Sequence, residues 1–429
     1  MPTNESTLNS QKHSRMDDAR TTGERCVIGW DIGGAHVKAC LTQRGEVIDV
    51  TQWPCPLWQG MEHLLRVLQT ASQRWPEMST AQHAVTMTGE MVDLFANREI
   101  GVRRIAAELT QALELHSTID SAQRSESSVH FYCGDAGWCD AAHVAERWSE
   151  IASANWLATA RHCALRFGEG LLVDIGSTTT DLIAFKDGRV LTRSRTDAQR
   201  LASGELVYHG VVRTPLCAVA RRVEWRGEPH NVMNEFFATT ADVYRMTGEL
   251  DATHDQHPSA DNTAKDVPST TQRLARMISL DARDGSAQDW LAFAQSWRAA
   301  QVQELGDELH RVSRANRLGP NAVVVSAGCG DFLVRDVLSA AAKRDADGER
   351  FAQQSPSIRL ASYGADVAVI SARARAREDA VVETVTDVRA EHASAQAERA
   401  HAQAAVVQAW AQVCAPCVAV ATLFDQDRR

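Results

Sequence analysis

Two short stretches carry residue types suited to holding a phosphorylated ligand. The first is Gly29-Trp-Asp31-Ile-Gly33-Gly34-Ala-His-Val-Lys38, and the second is Asp174-Ile-Gly176-Ser177-Thr178-Thr179-Thr180-Asp181. In each, an Asp-x-Gly turn joins two apolar runs. Glycine lets the backbone bring its N–H groups against phosphate oxygens, and a short carboxylate beside the turn can hold a hydrated Mg²⁺. Ser177, Thr178 and Thr179 add hydroxyl donors without adding charge. A third cluster, Ser326-Ala-Gly328-Cys-Gly330-Asp331, precedes a helix, whose N-terminus is itself an anion or nucleotide site. One such turn alone reads as a plain hairpin. Two copies a domain's length apart, with a third junction, point to a duplicated fold that clamps a polyphosphate from both sides.

The elements that must position these groups follow from hydrophobic periodicity and turn chemistry. Each Asp-x-Gly turn reads as strand, turn, strand, extended by a further hairpin at Arg44-Gly45-Glu46 and at Lys186-Asp187-Gly188-Arg189. Helices are expected over 61–75, closed by Pro76, and over 102–115, with one long Ala-rich helix over 141–165. Strands are expected over 84–88 and 129–133. The first of these runs into Gly89-Glu90 and a helix carrying Leu94 and Phe95, and 251–271 reads as a loop.

The domain plan is a polar extension over 1–25, expected to be disordered, a first lobe over 26–168 and a second over 169–372. A final helix of the second lobe is able to pack on the first. Residues 373–429 form an Ala- and charge-rich extension, a solvated helix or partly disordered, with no catalytic role assigned.

Composition excludes several classes. The 429 residues are 44% hydrophobic and 23% charged, which rules out global disorder and fibrous repeats. The 45 basic and 55 acidic side chains leave a net charge of −10, a surface that repels nucleic-acid backbones. The first residues have no apolar core of a secretory signal, and no run is long enough for a membrane span. A cytoplasmic protein is expected. The ten cysteines lie mostly in apolar runs and read as reduced, buried thiols. Cys414-Ala-Pro-Cys417 has redox or zinc spacing, but no second ligand pair accompanies it.

The paired turns resemble those of the sugar-kinase, heat-shock chaperone and actin superfamily, and Asp174–Asp181 is similar to the hydantoinase A/oxoprolinase branch. Further stretches narrow the resemblance: Met87-Thr-Gly89-Glu90-Met-Val-Asp93, Ala154-Asn155-Trp156-Leu-Ala-Thr, Gly204-Glu205-Leu-Val-Tyr208-His-Gly210, Arg213-Thr-Pro215 and Glu235-Phe-Phe-Ala-Thr-Thr-Ala-Asp242-Val-Tyr244. Together, in order over 27–370, they resemble a family linked to tetrahydromethanopterin-dependent one-carbon transfer, whose archaeal relatives are furanylmethanamine synthases of methanofuran biosynthesis.

The resemblance implies an α/β fold of two duplicated actin-like (ribonuclease-H-like) domains with a ligand cleft between them. It implies a transferase that joins a furan-methyl diphosphate to the phenol oxygen of a γ-glutamyl-tyramine or tyrosine acceptor, releasing pyrophosphate. In that reading Asp31 and Asp174 position Mg²⁺, and Gly33, Gly34, Gly176, Ser177, Thr178 and Thr179 cradle the diphosphate. Lys38 adds charge, while Asp181 and Glu90 are candidate bases or support the metal. Gly328 and Gly330 serve nucleotide binding in the alternative, an ATP-dependent kinase or oxoprolinase-like amide hydrolase. A nucleotide-gated scaffold is the third class. Oligomeric state is left open.

Each residue also has a structural role to weigh. Lys38 on a strand can be a solvated charge. Asp181 can cap a strand end or pair with an arginine, and Glu90 suits a helix first turn. His36 reads as a packing residue. Arg213 fits an acceptor carboxylate or a structural ion pair equally. Trp156 and Phe236-Phe237 read as core, or as the apolar wall that an aromatic acceptor needs.

Overall fold

A computed structural model describes residues 26–116, 127–319, 322–346, 359–374 and 392–428. The extension expected over 1–25 and residues 375–391 lie outside them. In the first lobe β1 (Cys26–Ile32), β2 (His36–Gln43) and β3 (Glu46–Pro54) form a meander. Helix α1 (Glu62–Arg74) crosses to β4 (Gln82–Met87), α2 (Arg98–His116) crosses to β5 (Val129–Tyr132), and β6 (Trp138–Cys139) closes the edge. The sheet runs β3-β2-β1-β4-β5-β6, with β1, β4 and β5 parallel.

Helices α3 (Val144–Ile151) and α4 (Asn155–Arg166) lead to the second lobe. There β7 (Glu169–Ile175), β8 (Thr180–Lys186) and β9 (Arg189–Val190) repeat the meander. A long excursion follows. It comprises α5 (Asp197–Ser203), β10 (Leu206–Val207), α6 (Leu216–Val219), the β11 (Arg222–Trp225) and β12 (Glu228–Asn231) hairpin, α7 (Thr240–Thr247), α8 (Val267–Arg276) and α9 (Ala287–Asn316). Strand β13 (Val323–Ala327) then pairs parallel with β7, and α10 (Val334–Ala346) connects it to the parallel β14 (Arg359–Ser362). The second sheet runs β10-β8-β7-β13-β14, with β9 also on β8.

The two lobes therefore share one plan, an antiparallel meander followed by two parallel strands reached by helical crossovers. The repeat extends to the turns. Arg44-Gly45 and Asp187-Gly188 all have positive φ (56°, 81°, 52° and 73°), the two-residue hairpin geometry that matches strand twist. It extends also to register: Asp31 lies opposite Lys38 on β1–β2, and Asp174 lies opposite Asp181 on β7–β8.

Four expectations need correction. The helix expected around Leu94 and Phe95 is a single tight turn over Gly89–Met91 followed by bends. The long helix over 141–165 is broken at Ala152-Ser153-Ala154, where Ser153 has φ +50°. Phe236 is 55% exposed and not core. The loop over 251–271 already turns into α8 at Val267.

The fourth-quarter tail is the largest difference. Helix α11 (His392–Val413) leads into α12 (Ala415–Asp427), and every residue of α12 from Ala415 to Asp425 is buried. It lies between α4 and the first sheet, so close that a Cβ on Gly29 of β1 would sit 2.0 Å from the Cys417 carbonyl oxygen. The polar composition before Ala404 obscures a run after Val413 that is apolar but for Thr422 as far as Phe424, and a helix apolar nearly all round belongs in a core. Among the described residues no single helix is long and apolar enough to cross a membrane. Gly29→Ala is expected to cost about 1–3 kcal/mol by forcing β1 and α12 apart, seen as a lower urea midpoint with an unchanged slope.

Candidate active site

The β1–β2 and β7–β8 turns face each other across a cavity of about 430 Å³. Asp31, Gly33, Gly34, Lys38, Asp174, Gly176, Ser177, Thr178, Thr179 and Asp181 all line it. Both glycine turns are internally closed: the Gly33 N–H donates to the His36 carbonyl (2.9 Å) and the Gly176 N–H to the Thr179 carbonyl (2.8 Å). These two N–H groups shape the turns and are not offered to a ligand, a departure from the sequence reading. The N–H groups of Ser177 and Thr178 make no hydrogen bond within the described residues, and they are the donors the second turn presents.

The segment that carries Gly210 and Arg213 holds that turn from behind. The N–H groups of Val211, Val212 and Arg213 donate to the Gly176 and Ser177 carbonyls (3.0, 3.1 and 2.8 Å). A Cβ on Gly210 would lie 2.3 Å from the Thr178 nitrogen, so only glycine permits this approach.

Lys38 is half-buried among acids at the cleft floor. Its Nζ donates to the Val413 carbonyl at the end of α11 (3.1 Å). Burial opposes its charge, but Cys414, Asp31 and Asp174 outweigh that penalty and hold its pKa above the ordinary lysine value. Burial raises Asp31 to about 6, although Lys38 and the Asn155 amide favour its charged form. Burial, then the Asp181 charge, raises Asp174 to about 7, with Lys38 opposing. Two carboxylates and one ammonium thus share a largely enclosed floor, with the carboxyls raised to about 6 and about 7.

The flanking carboxylates are each held by arginine. Asp181 is ion-paired with the fully buried Arg200, which also contacts Asp197 (3.2 Å) and stacks on Trp156 (4.2 Å to the ring centroid). Glu90 sits behind the cleft wall, accepting from Arg98 (2.8 Å) and the Ser153 hydroxyl (2.7 Å). Burial still raises both carboxyls against these partners. Arg98 also reaches Asp197 of the second lobe (3.6 Å), tying the two supports together. Ser153 lies in the break between α3 and α4, and Asn155 opens α4. Reading that stretch as one helix concealed them, although Ser-Ala-Asn is a helix-start signal.

Other expectations resolve locally. His36 is buried with its ring 4.6 Å from that of His257, and burial keeps its pKa well below the ordinary histidine value. Arg213 has no carboxylate partner among the described residues; it reaches the Thr178 hydroxyl (3.5 Å) and lies over the Trp58 ring (5.3 Å). Gly328 and Gly330 do not line the cavity. The Gly328 N–H donates to the Gln412 carbonyl (2.9 Å) and the Gly330 N–H to the Ile175 carbonyl (2.8 Å). The Gln412 amide fills the same junction, donating to the Ser326 carbonyl (2.9 Å) and Asp331 (3.2 Å). The turn expected to serve a nucleotide is bonded instead to α11. Cys414 and Cys417 are buried, and the Cys417 thiol donates to the Cys414 carbonyl (3.1 Å).

Metal binding can be tested on the donors. No cluster of three or more potential ligand side chains gathers among the described residues. Asp31 Oδ1 is nevertheless buried and without a hydrogen bond there. Two facing carboxylates with unsatisfied acceptor capacity suit Mg²⁺, which keeps most of its waters and takes the rest of its ligands from a phosphate.

A model of the hydantoinase/oxoprolinase family matches residues 82–373. The chain is 26% identical over 313 residues, 73% of its length and 88% of the relative's, to the (4-{4-[2-(γ-L-glutamylamino)ethyl]phenoxymethyl}furan-2-yl)methanamine synthase of Methanocaldococcus jannaschii. A protein of the same name from Methanococcus vannielii is 28% identical over 169 residues, 39% of this chain and 74% of that one. Among solved structures, a glucokinase of the ROK family from Streptomyces griseus covers 79% of this chain and 94% of its own at 13% identity, with a TM-score of 0.39. A nucleotide-free acetone carboxylase covers 72% and 66% at 10% identity, with a TM-score of 0.44. The family model spans more than half of the chain, and this protein belongs to the hydantoinase/oxoprolinase family.

Proposed function

We propose that this protein is a transferase of methanofuran-type cofactor biosynthesis, acting in the cytoplasm and serving tetrahydromethanopterin-linked one-carbon metabolism. It joins the methylene carbon of an aminomethyl-furan diphosphate to the phenol oxygen of a γ-glutamyl-tyramine-type acceptor. The phenol O–H bond breaks, an aryl ether C–O bond forms, and the methylene–diphosphate C–O bond breaks with its electron pair leaving on pyrophosphate. The observation that supports this most is one cleft in which free N–H and hydroxyl donors face two carboxylates balanced near neutral pH. The named relatives make the matching aryl ether product.

The residues divide the work by their electrostatics. Ser177 and Thr178 N–H groups, with the Ser177, Thr178 and Thr179 hydroxyls, hold diphosphate oxygens. Lys38 offsets charge on the floor. Asp31, ionised more readily, would hold Mg²⁺, which when bound would supply neutralisation of the leaving diphosphate and leave Asp174 free to take a proton. Asp174, at about 7, is the carboxylate matched to accept the phenol proton at neutral pH. Asp181 and Glu90, committed to Arg200 and Arg98, position the floor and do not react. The acid-rich cleft requires a cation before it can take a polyanion, which accounts for a phosphate site on a protein of net charge −10.

Incubating the protein with the furan-methyl diphosphate, γ-glutamyl-tyramine and Mg²⁺ should release pyrophosphate stoichiometrically with ether formation; no release above background would reject the transferase. Asp174→Asn is expected to lower kcat at least ~100-fold while the protein remains folded. Turnover should rise with pH through about 7 as Asp174 ionises, and a flat profile from pH 5.5 to 8 would remove it as the base.

Stability should move the other way. The folded-state values of Asp31 and Asp174 lie above their ordinary 3.8, so their contribution is complete below that pH and is lost as pH rises through about 6 and 7. Mg²⁺ with pyrophosphate should therefore raise Tm more at pH 8 than at pH 5.5, read by differential scanning fluorimetry.

A further inference from the structure

A second cavity of about 390 Å³ opens beside the cleft, between α9 and the segment running from Leu206 to Ala218. Thr178, Leu206, Tyr208 and Arg213 line both spaces, so the two adjoin at these residues and make up a groove. Its near end is the phosphate turn itself, through Thr178. Its far wall is one face of α9, where Glu304, Glu308 and Arg311 fall at i, i+4 and i+7. Between these ends the lining is partly apolar, from Val207, Pro215 and Ala218.

The charges at the far end have opposite signs and are only partly committed. Arg311 pairs with Glu308 (2.6 Å) and donates to the Ala202 carbonyl (3.3 Å), with 48% of its side chain exposed. Glu304 is exposed and forms no ion pair among the described residues. Arg213, at the junction of the two spaces, is half-buried and has no carboxylate partner there. A groove with a cation and an anion at one end, a spacer-length apolar stretch and an open path to a phosphate turn suits an elongated ligand with a zwitterionic head. Of the reactants in the transferase reading, only the acceptor has that form. A γ-linked glutamate keeps its α-carboxylate and α-ammonium, and its amide-linked spacer ends in the phenol.

Resting on that reading, we propose that this groove seats the acceptor tail and sets its specificity. Arg311 takes the α-carboxylate and Glu304 the α-ammonium, each by a charge-assisted hydrogen bond. The spacer crosses the apolar stretch, and the phenol passes Tyr208 and Arg213 into the cleft. Neither Glu304 nor Arg311 touches the reacting atoms; both act on binding of the tail.

The test is pyrophosphate release with γ-glutamyl-tyramine or with tyramine, which lacks the zwitterionic head, for the wild type, Glu304→Gln and Arg311→Gln. Both side chains are surface-exposed, so the variants should fold. Each is expected to raise KM for γ-glutamyl-tyramine about tenfold with kcat unchanged, and to leave KM for tyramine unchanged. An unaltered preference between the two acceptors, or an equal rise for both, would overturn the groove assignment while the transferase reading stands. A wild type that turns over neither acceptor overturns the transferase reading and the groove with it.

Discussion

A single half-buried ammonium joins the parts of the cleft. Lys38 stands on β2 opposite Asp31, faces Asp174 from the other lobe, and donates to the last carbonyl of α11. Enclosing a lone charge is among the costliest things a fold can do, and enclosing three together is tolerable only when they offset one another and meet hydrogen-bond partners. The opposing β1–β2 and β7–β8 turns and the seat of α11 follow from that requirement. Displace any one of the three and the other two face an uncompensated charge in an enclosed site.

The duplication makes this arrangement possible and its asymmetry makes it useful. Superposed by register, Lys38 of the first copy corresponds to Asp181 of the second. Identical residues at both places would give either four carboxylates or two ammonium groups around one floor. Because the copies diverged at that position, one hairpin brings a cation to the shared floor while the other brings an anion, which Arg200 neutralises from outside. Arg98 and Arg200 converge on Asp197 from opposite lobes. The support of the site is thus itself divided between the two halves.

Much of this was legible in the sequence, because the relevant signals are local. Both Asp-x-Gly hairpins, their two-residue follow-on turns and the residues lining the cleft could be read from short stretches whose chemistry is complete within a few positions. The parts that could not be read depend on distant partners. Nothing near Gly328 indicates that its N–H is committed to Gln412, and nothing near Gly29 indicates a helix against it. The break before Asn155 was locally signalled but outweighed by an alanine-rich periodicity that favours one continuous helix. The apolar α12 was hidden by averaging it with the polar stretch before it. Spacing picked out residues that the fold brings to one cleft, among them Asp31, Lys38, Asp174 and Asp181. It could not tell which N–H groups remain free after the turns close, since that depends on the bonds within each turn.

The bond between Lys38 and the Val413 carbonyl spans 375 positions. Contacts of such separation carry a large loop-closure cost before they return any stabilisation, and they form late. During synthesis the first hairpin leaves the ribosome with its lysine and aspartate in place but without the helix that covers β1. No nascent chain shorter than this span can assemble the floor of the cleft. Completion of the cleft and completion of the fold are therefore one event in time, and partly made chains hold the cleft carboxylates without the enclosure that raises their pKa.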